Sequence, residues 1–214
     1  MWQRVLAVGA HPDDIEFGCG GTLLRHAAQG AEITVVVVSD GARGGEPLVR
    51  ATEQARAAEL LGAKVVSLGL PDGDLGSLTH LVTLLEQVIA DTAPDVVYTH
   101  LPEDTHQDHV GTHRAMRIAA RGQRNVLLFE SPRSPVLSTG IAVDVSDFIQ
   151  EKAELLSQHA SQTATSPELR EKAIRARALL HGLRFGCEYA EIFTPLRFSL
   201  PFGMGSPLAQ GLAA

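Results

Sequence analysis

Cysteine is nearly missing from this 214-residue chain: only Cys19 and Cys187 occur, and they form no C-x-x-C pair. Two isolated thiols cannot build a disulfide framework, so a stapled secreted scaffold is excluded and a reducing compartment is indicated. Long apolar runs are missing too. The longest, Val35 to Val38 with its flanks, falls far short of the roughly 20 residues that a membrane helix needs. The N-terminus lacks the basic-then-apolar layout of a signal peptide, so the expected location is the cytoplasm. Excess positive charge is absent: the formal net charge is −7 and the basic residues are scattered, leaving no electrostatic footprint for nucleic acid. There is no G-x-S-x-G nucleophile elbow, which disfavours a serine hydrolase. No repeat or low-complexity linker interrupts the chain, and its length suits one domain, large enough to bury about 70% of the surface of the unfolded chain.

What is present is alternation. RVLAVGA (4–10), EITVVVVSDG, KVVSLGLPDG, DVVYTH and NVLLFES read as five buried strands. Between them lie helix-period segments: GTLLRHAAQG, the stretch from Pro47 to Gly62, Leu78 to Ala90, and His109 to Ala120. In the second, Leu48, Ala51, Ala55, Ala58 and Leu61 mark an apolar face. Later, IAVDV and YAEIF read as strands, and 145–158 and 167–181 as helices. This pattern predicts an α/β, Rossmann-like, mostly parallel sheet with helices on both faces in a single domain spanning 1–200, with 201–214 as a tail. Ligands of such sheets bind at the carboxyl ends of the strands, where strand order reverses.

Directly after the first strand comes HPDDIEFGCGG, in which His11, Asp13, Asp14 and Glu16 precede three glycines. A dinucleotide fingerprint would carry a third glycine at Leu23 and would turn directly from strand to helix. The glycines are therefore assigned to close helix-to-sheet approach at Gly20 and Gly21. Asp13 or Asp14 alone could be a helix cap. Adjacent carboxylates, however, raise each other's pKa unless a cation neutralises them. After the fourth strand, EDTHQDHVGTH offers Asp104, His106, Asp108, His109 and His113 at the same end of the sheet. A His/His/carboxylate set from the two motifs suits a zinc ion, Zn(2+), with one open position, and a spare carboxylate could take a proton from water. Spacing does not say which Asp binds and which abstracts.

AHPDD followed by GG, with HQDH downstream, resembles the PIG-L/LmbE-like zinc-dependent N-deacetylases, which remove acetyl groups from N-acetylglucosamine-type sugars. LPDG (70–73), VDVS (143–146), HASQ (159–162) and YAEIF (189–193) extend the likeness along the chain, nearest to the bacillithiol-pathway branch that acts on GlcNAc-malate. The resemblance implies His11, Asp14 and His109 as zinc ligands and Asp13 as general base. It implies His106 as the residue that stabilises the oxyanion and protonates the leaving amine, oriented by Asp108. Gln107 stands where that family often has Pro. It also implies a homo-oligomer, a hexamer or trimer, and an amino-sugar substrate.

Arg43, Glu46, Arg50, Asp104 and Glu130 are the candidate substrate contacts. Arg50 competes with a reading as a surface Arg paired with Glu53; Glu130 and Asp72 follow strands and could reach sugar hydroxyls, or be turn caps or solvated strand ends. His26, His80 and His181 are expected at the surface, and His100 and His113 around the metal site. Two other functions fit parts of the pattern: a nucleotide-binding doubly wound protein, and a metal-binding protein without turnover.

Overall fold

The apolar runs become the centre of a sheet. The computed structural model describes residues 2–163 and 167–199; the expected tail at 201–214 lies outside them. β1 (Arg4–Gly9) and β2 (Glu32–Ser39) are followed by β3 (Lys64–Leu70), β4 (Val96–His100) and β5 (Val126–Phe129), and then by β6 (Ile141–Asp144) and β7 (Ala190–Arg197). The helices are α1 (Asp14–Ala28), α2 (Pro47–Leu61), α3 (Leu78–Thr92), α4 (Gln107–Ala119), α5 (Ile149–Ser157), α6 (Ala160–Thr163) and α7 (Pro167–Phe185). Strand order is β3-β2-β1-β4-β5-β7-β6. The first five run parallel, and β7 is antiparallel to both of its neighbours. β1, β2 and β4 have helices on both faces and so no polar face to offer solvent, which is why they read as unbroken apolar runs. On one face Leu81, Leu85 and Met116 of α3 and α4 pack on Leu6, Val8 and Val97. On the other, Ile15, Leu23 and Leu155 of α1 and α5 pack on Val5, Ala7 and Tyr98. The mostly parallel α/β sheet is as expected. No helix among the described residues is long and apolar enough to cross a membrane.

Four expectations are corrected. α1 begins at Asp14, not at the glycines, because Asp13 adopts a left-handed conformation (φ 96°) that turns the chain at once from β1 into the helix. Gly18, Gly20 and Gly21 therefore lie inside α1, away from its N-terminus, where they could not cradle a pyrophosphate. The expected close approach holds at Gly21 but not at Gly20, which has ordinary clearance; the tightest contact is instead at Gly18, where a Cβ would sit 2.3 Å from the Phe129 ring. In α2 the inward face is Arg50, Glu53, Gln54, Ala57, Ala58 and Leu61, while Leu48 is 73% exposed. The expected stripe holds at Ala58 and Leu61 but not at Leu48, Ala51 and Ala55, because polar residues with partners took the inward positions of the first turns. His181 is buried rather than at the surface, with Nε2 3.0 Å from Glu130.

β7 is tied to α1 through a buried ion pair. Lys152 Nζ of α5 lies 2.5 Å from Glu191 Oε1 and donates to Phe17 O, while Glu191 accepts from the backbone N–H groups of Gly21 and Thr22.

Candidate metal centre and active site

Strand order reverses between β1 and β4, and the residues that follow these two strands meet there. His11 follows β1, Asp14 opens α1, and His109 lies in the first turn of α4. His11 Nδ1 is 3.3 Å from His109 Nε2 and 3.4 Å from Asp14 Oδ2, and His109 Nε2 is 3.2 Å from Asp14 Oδ1. Donors at about 2.0–2.1 Å from a tetrahedral zinc ion are separated by about 3.3–3.4 Å. His11 Nδ1, His109 Nε2 and the Asp14 carboxylate, which faces His11 through Oδ2 and His109 through Oδ1, lie at that spacing, all at most 7% exposed, and their chemistry fits such an ion. His100 also lies beside Asp14 and stacks on His109 at 4.1 Å, but its Nε2 accepts the Ala10 N–H at 3.0 Å, which engages that lone pair.

The charges around the cluster ask for a cation. Burial alone would lower the pKa of His11, but the hydrogen bond and charge of Asp14 outweigh it and raise the value to about 9. His109, against the same penalty, is raised to about 10 by Asp14 and Asp104. Burial would raise Asp14, yet His109 and His100 hold it well below the usual carboxylate range. Metal binding at such a site displaces protons from the imidazoles.

Asp13 behaves differently from its neighbour. Its side chain occupies the N-cap position of α1 but caps nothing. Instead Oδ1 lies 3.4 Å from Arg50 Nη2, and Oδ2 3.2 Å from Arg170 Nη1 of α7. Burial and the Asp14 charge push its pKa up to about 6, against the pull of His159, Arg50 and Arg170. Arg50 is 3% exposed and also donates to Gly41 O and Pro12 O. The reading of Arg50 as a surface residue paired with Glu53 is thereby overturned; Glu53 accepts from Ser161 instead.

His106 is the N-cap of α4, and its Nδ1 accepts the Asp108 N–H at 3.2 Å. This bond leaves the proton of the neutral ring on Nε2. The Asp108 carboxylate does not reach His106. It lies 3.1 Å from His11 Nε2 and accepts the Gly73 N–H, sharing His11 with Asp72, which is 3.2 Å away. Short loops after β3 and β4 deliver these carboxylates to the far side of the ring from the donor cluster.

A cleft of about 730 Å³ opens over the cluster, lined by His11, Asp13, Asp14, His106 and His109 and rimmed by Arg43, Arg50, Arg133, Arg170 and Gln162. Its size suits a small-molecule ligand. Of the candidate substrate contacts, Arg43 and Arg50 line it. Glu46 is not brought there: it caps α2 by accepting the Val49 N–H. Asp104 is buried against His109 and Ser131. Glu130 is buried among His181, Arg177 and the Leu137 N–H, outside the cleft. Arg133 and Arg170 carried no sequence signal, being ordinary Arg residues of a loop and an amphipathic helix. Gln162, which donates to Gly44 O, lies in the HASQ segment.

Over 138 residues the chain is 37% identical to the uncharacterized deacetylase YaiS of Escherichia coli K12, covering 61% of this chain and 75% of that protein. It is 28% identical over 217 aligned positions to diacetylchitobiose deacetylase of Thermococcus kodakarensis, covering 88% and 81%. The fold superposes on the conserved protein TT1542 from Thermus thermophilus with a TM-score of 0.83 and 28% identity, covering 94% of this chain and 97% of that one. Residues 6–120, which carry both halves of the donor cluster, match the model of the PIG-L family, described as GlcNAc-PI de-N-acetylase, and the chain belongs to that family.

Proposed function

We propose that the protein is a zinc-dependent N-deacetylase that hydrolyses the acetamide of an N-acetylglucosamine-type sugar or glycoside. The observation that carries this is the mutual 3.2–3.4 Å spacing of His11 Nδ1, the Asp14 carboxylate and His109 Nε2 beside a carboxylate held separately, Asp13. These three residues would hold the metal, which when bound supplies Lewis-acid polarisation of the amide carbonyl and lowers the pKa of water toward about 7. Asp13 accepts the proton of the attacking water. Its elevated pKa, against the depressed one of Asp14, supports this division of labour between two adjacent acids. His106 offers an Nε2–H to the oxyanion of the tetrahedral intermediate, the tautomer being held by the Asp108 N–H. Collapse of the intermediate breaks the C–N bond and expels the amine, which takes the proton that Asp13 removed from the water, leaving acetate. Arg43, Arg50 and the rim arginines orient the substrate, and an anionic aglycone such as malate suits them, which favours the bacillithiol-type substrate GlcNAc-malate. The protein is expected in the cytoplasm as a homo-oligomer.

Zinc-loaded protein is to be assayed for acetate release from N-acetylglucosamine, diacetylchitobiose and GlcNAc-malate, with metal content measured in parallel. Asp13→Ala is expected to keep its metal and lose at least about 100-fold in turnover, whereas His109→Ala loses the metal. Stable metal binding with no acetate released from any acetylated amino sugar would leave a metal-binding protein without turnover. An active Asp13→Ala enzyme would sink the base assignment.

A further inference from the structure

The two oxygens of Asp104 are committed to different tasks. Oδ1 accepts the His106 N–H at 2.9 Å, closing the turn that leads into α4. Oδ2 lies 2.9 Å from His109 Nδ1 and accepts the Ser131 hydroxyl. The side chain is fully shielded from solvent, and no open face of the cleft reaches it, so it cannot touch a substrate. Ser131 arrives from a different part of the fold, the turn after β5. It is fixed there by its own contacts: its N–H donates to Ser134 Oγ, and its carbonyl accepts from Arg177 of α7. A bond to Oδ1 alone would make Asp104 a turn residue. The second bond, braced from another strand, is what a turn does not need.

We propose that Asp104 is a positioning residue for the metal centre: it takes the Nδ1–H of His109 and so presents the Nε2 lone pair toward His11 and Asp14, with Ser131 holding the carboxylate in place. This rests on the metal reading above. His11 is held by an analogous device with different parts, its Nε2 facing both Asp72 and Asp108. Loss of either of those two leaves the other, whereas among the described residues His109 Nδ1 has Asp104 as its sole hydrogen-bond partner. Removing a carboxylate behind a metal-bound imidazole weakens metal affinity by about 10–100-fold.

The test is a zinc competition titration against a chromophoric chelator, with the visible spectrum of the cobalt(II)-loaded protein as a second readout of donor geometry. Wild type, Asp104→Ala, Asp104→Asn, Ser131→Ala and, as a charge control, Glu103→Gln are compared, with thermal melts of the metal-free proteins. Asp104→Ala should bind zinc about 10–100-fold more weakly and shift the cobalt spectrum. Asp104→Asn, whose single carbonyl oxygen can serve only one of the two N–H donors, should fall between it and wild type. Ser131→Ala should lose less in the same direction, and Glu103→Gln nothing. Wild-type affinity and spectrum in Asp104→Ala would overturn the proposal. Should that variant not fold, unchanged affinity in Ser131→Ala overturns it. If wild type takes up no divalent ion, the metal reading and this one fall together. If affinities fall as expected but no acetate is released, the hydrolase reading fails alone.

Discussion

Arg50 illustrates how one side chain can carry a site without touching the metal position. Its guanidinium spans Gly41 O at 3.0 Å, Pro12 O at 2.6 Å and Asp13 at 3.4 Å, joining the loop after β2 to the turn after β1. A lysine keeps the charge but cannot span three acceptors. Arg50→Lys should therefore leave a folded protein whose kcat/KM for the acetylated sugar falls about 10–100-fold, one to two tenfold steps in transition-state stabilisation. Arg50→Met strands two buried carbonyls and should cost about 1–3 kcal/mol for each one left unpaired, read by denaturant unfolding. A surface arginine would show neither effect. Much of this scale was legible in the sequence: His11, Asp13, Asp14, His106, Asp108 and His109 stand in two short motifs at strand ends, and all six converge. Arg170 was not, because it reaches Asp13 from 157 residues along the chain and nothing local marks an arginine that does so. The carboxylate of Asp108, expected on His106, turned to His11 because the backbone N–H already serves His106.

At the scale of elements, strands were easier to read than helix phases. A strand covered on both sides announces itself as an unbroken β-branched run, and β1, β2 and β4 fall where such runs do. α2 defeats the same logic. Its stripe of Leu48, Ala51 and Ala55 faces solvent, since Arg50, Glu53 and Gln54 are drawn inward by Asp13, Ser161 and Glu16. Partnered polar groups override apolar periodicity wherever a helix borders a site. α1 shows a related dependence on distant partners. Gly21 N and Thr22 N donate to Glu191, and Phe17 O accepts from Lys152, so a buried ion pair from α5 and β7 is inserted among the helix's own backbone groups. Replacing Lys152 with Met leaves Glu191 charged and unpaired at 4% exposure. That change should cost about 3–5 kcal/mol in chemical denaturation. The Lys152→Met/Glu191→Gln double variant should recover part of the loss.

For the whole molecule, metal and fold are thermodynamically linked. Asp13, Asp14, Asp72, Asp104 and Asp108 crowd one end of the sheet, and among the described residues only Arg50 and Arg170 pair with them as permanent cations. In the metal-free protein the raised imidazoles of His11 and His109 carry the rest of the balancing charge, and a bound metal takes their place as their protons leave. An ion that binds only the folded state adds about 4 kcal/mol at a thousand times its Kd. For a domain of this size that is a rise in Tm on the order of 10 °C. Zinc added to chelator-treated protein should produce such a rise in a thermal melt, and His109→Ala should show little of it. The sheet order was legible only as a class: parallel α/β alternation follows from the chain, but the placement of β7 between β5 and β6 depends on long-range pairing with no local signature.

The left-handed backbone at Asp13 has one more implication. Two consecutive carboxylates on an ordinary helical turn would point about 100° apart, with no reversal of the chain between them. Reversing the hand of the chain between them sends one toward imidazoles and the other toward guanidiniums, so that two acids close enough to feel each other's charge answer to different partners. Glycine would adopt that conformation at lower cost than any other residue, by about 1–2 kcal/mol relative to alanine. Asp13→Gly should thus unfold at higher denaturant than Asp13→Ala while being equally inactive. The position is one where selection for stability alone would erase the chemistry.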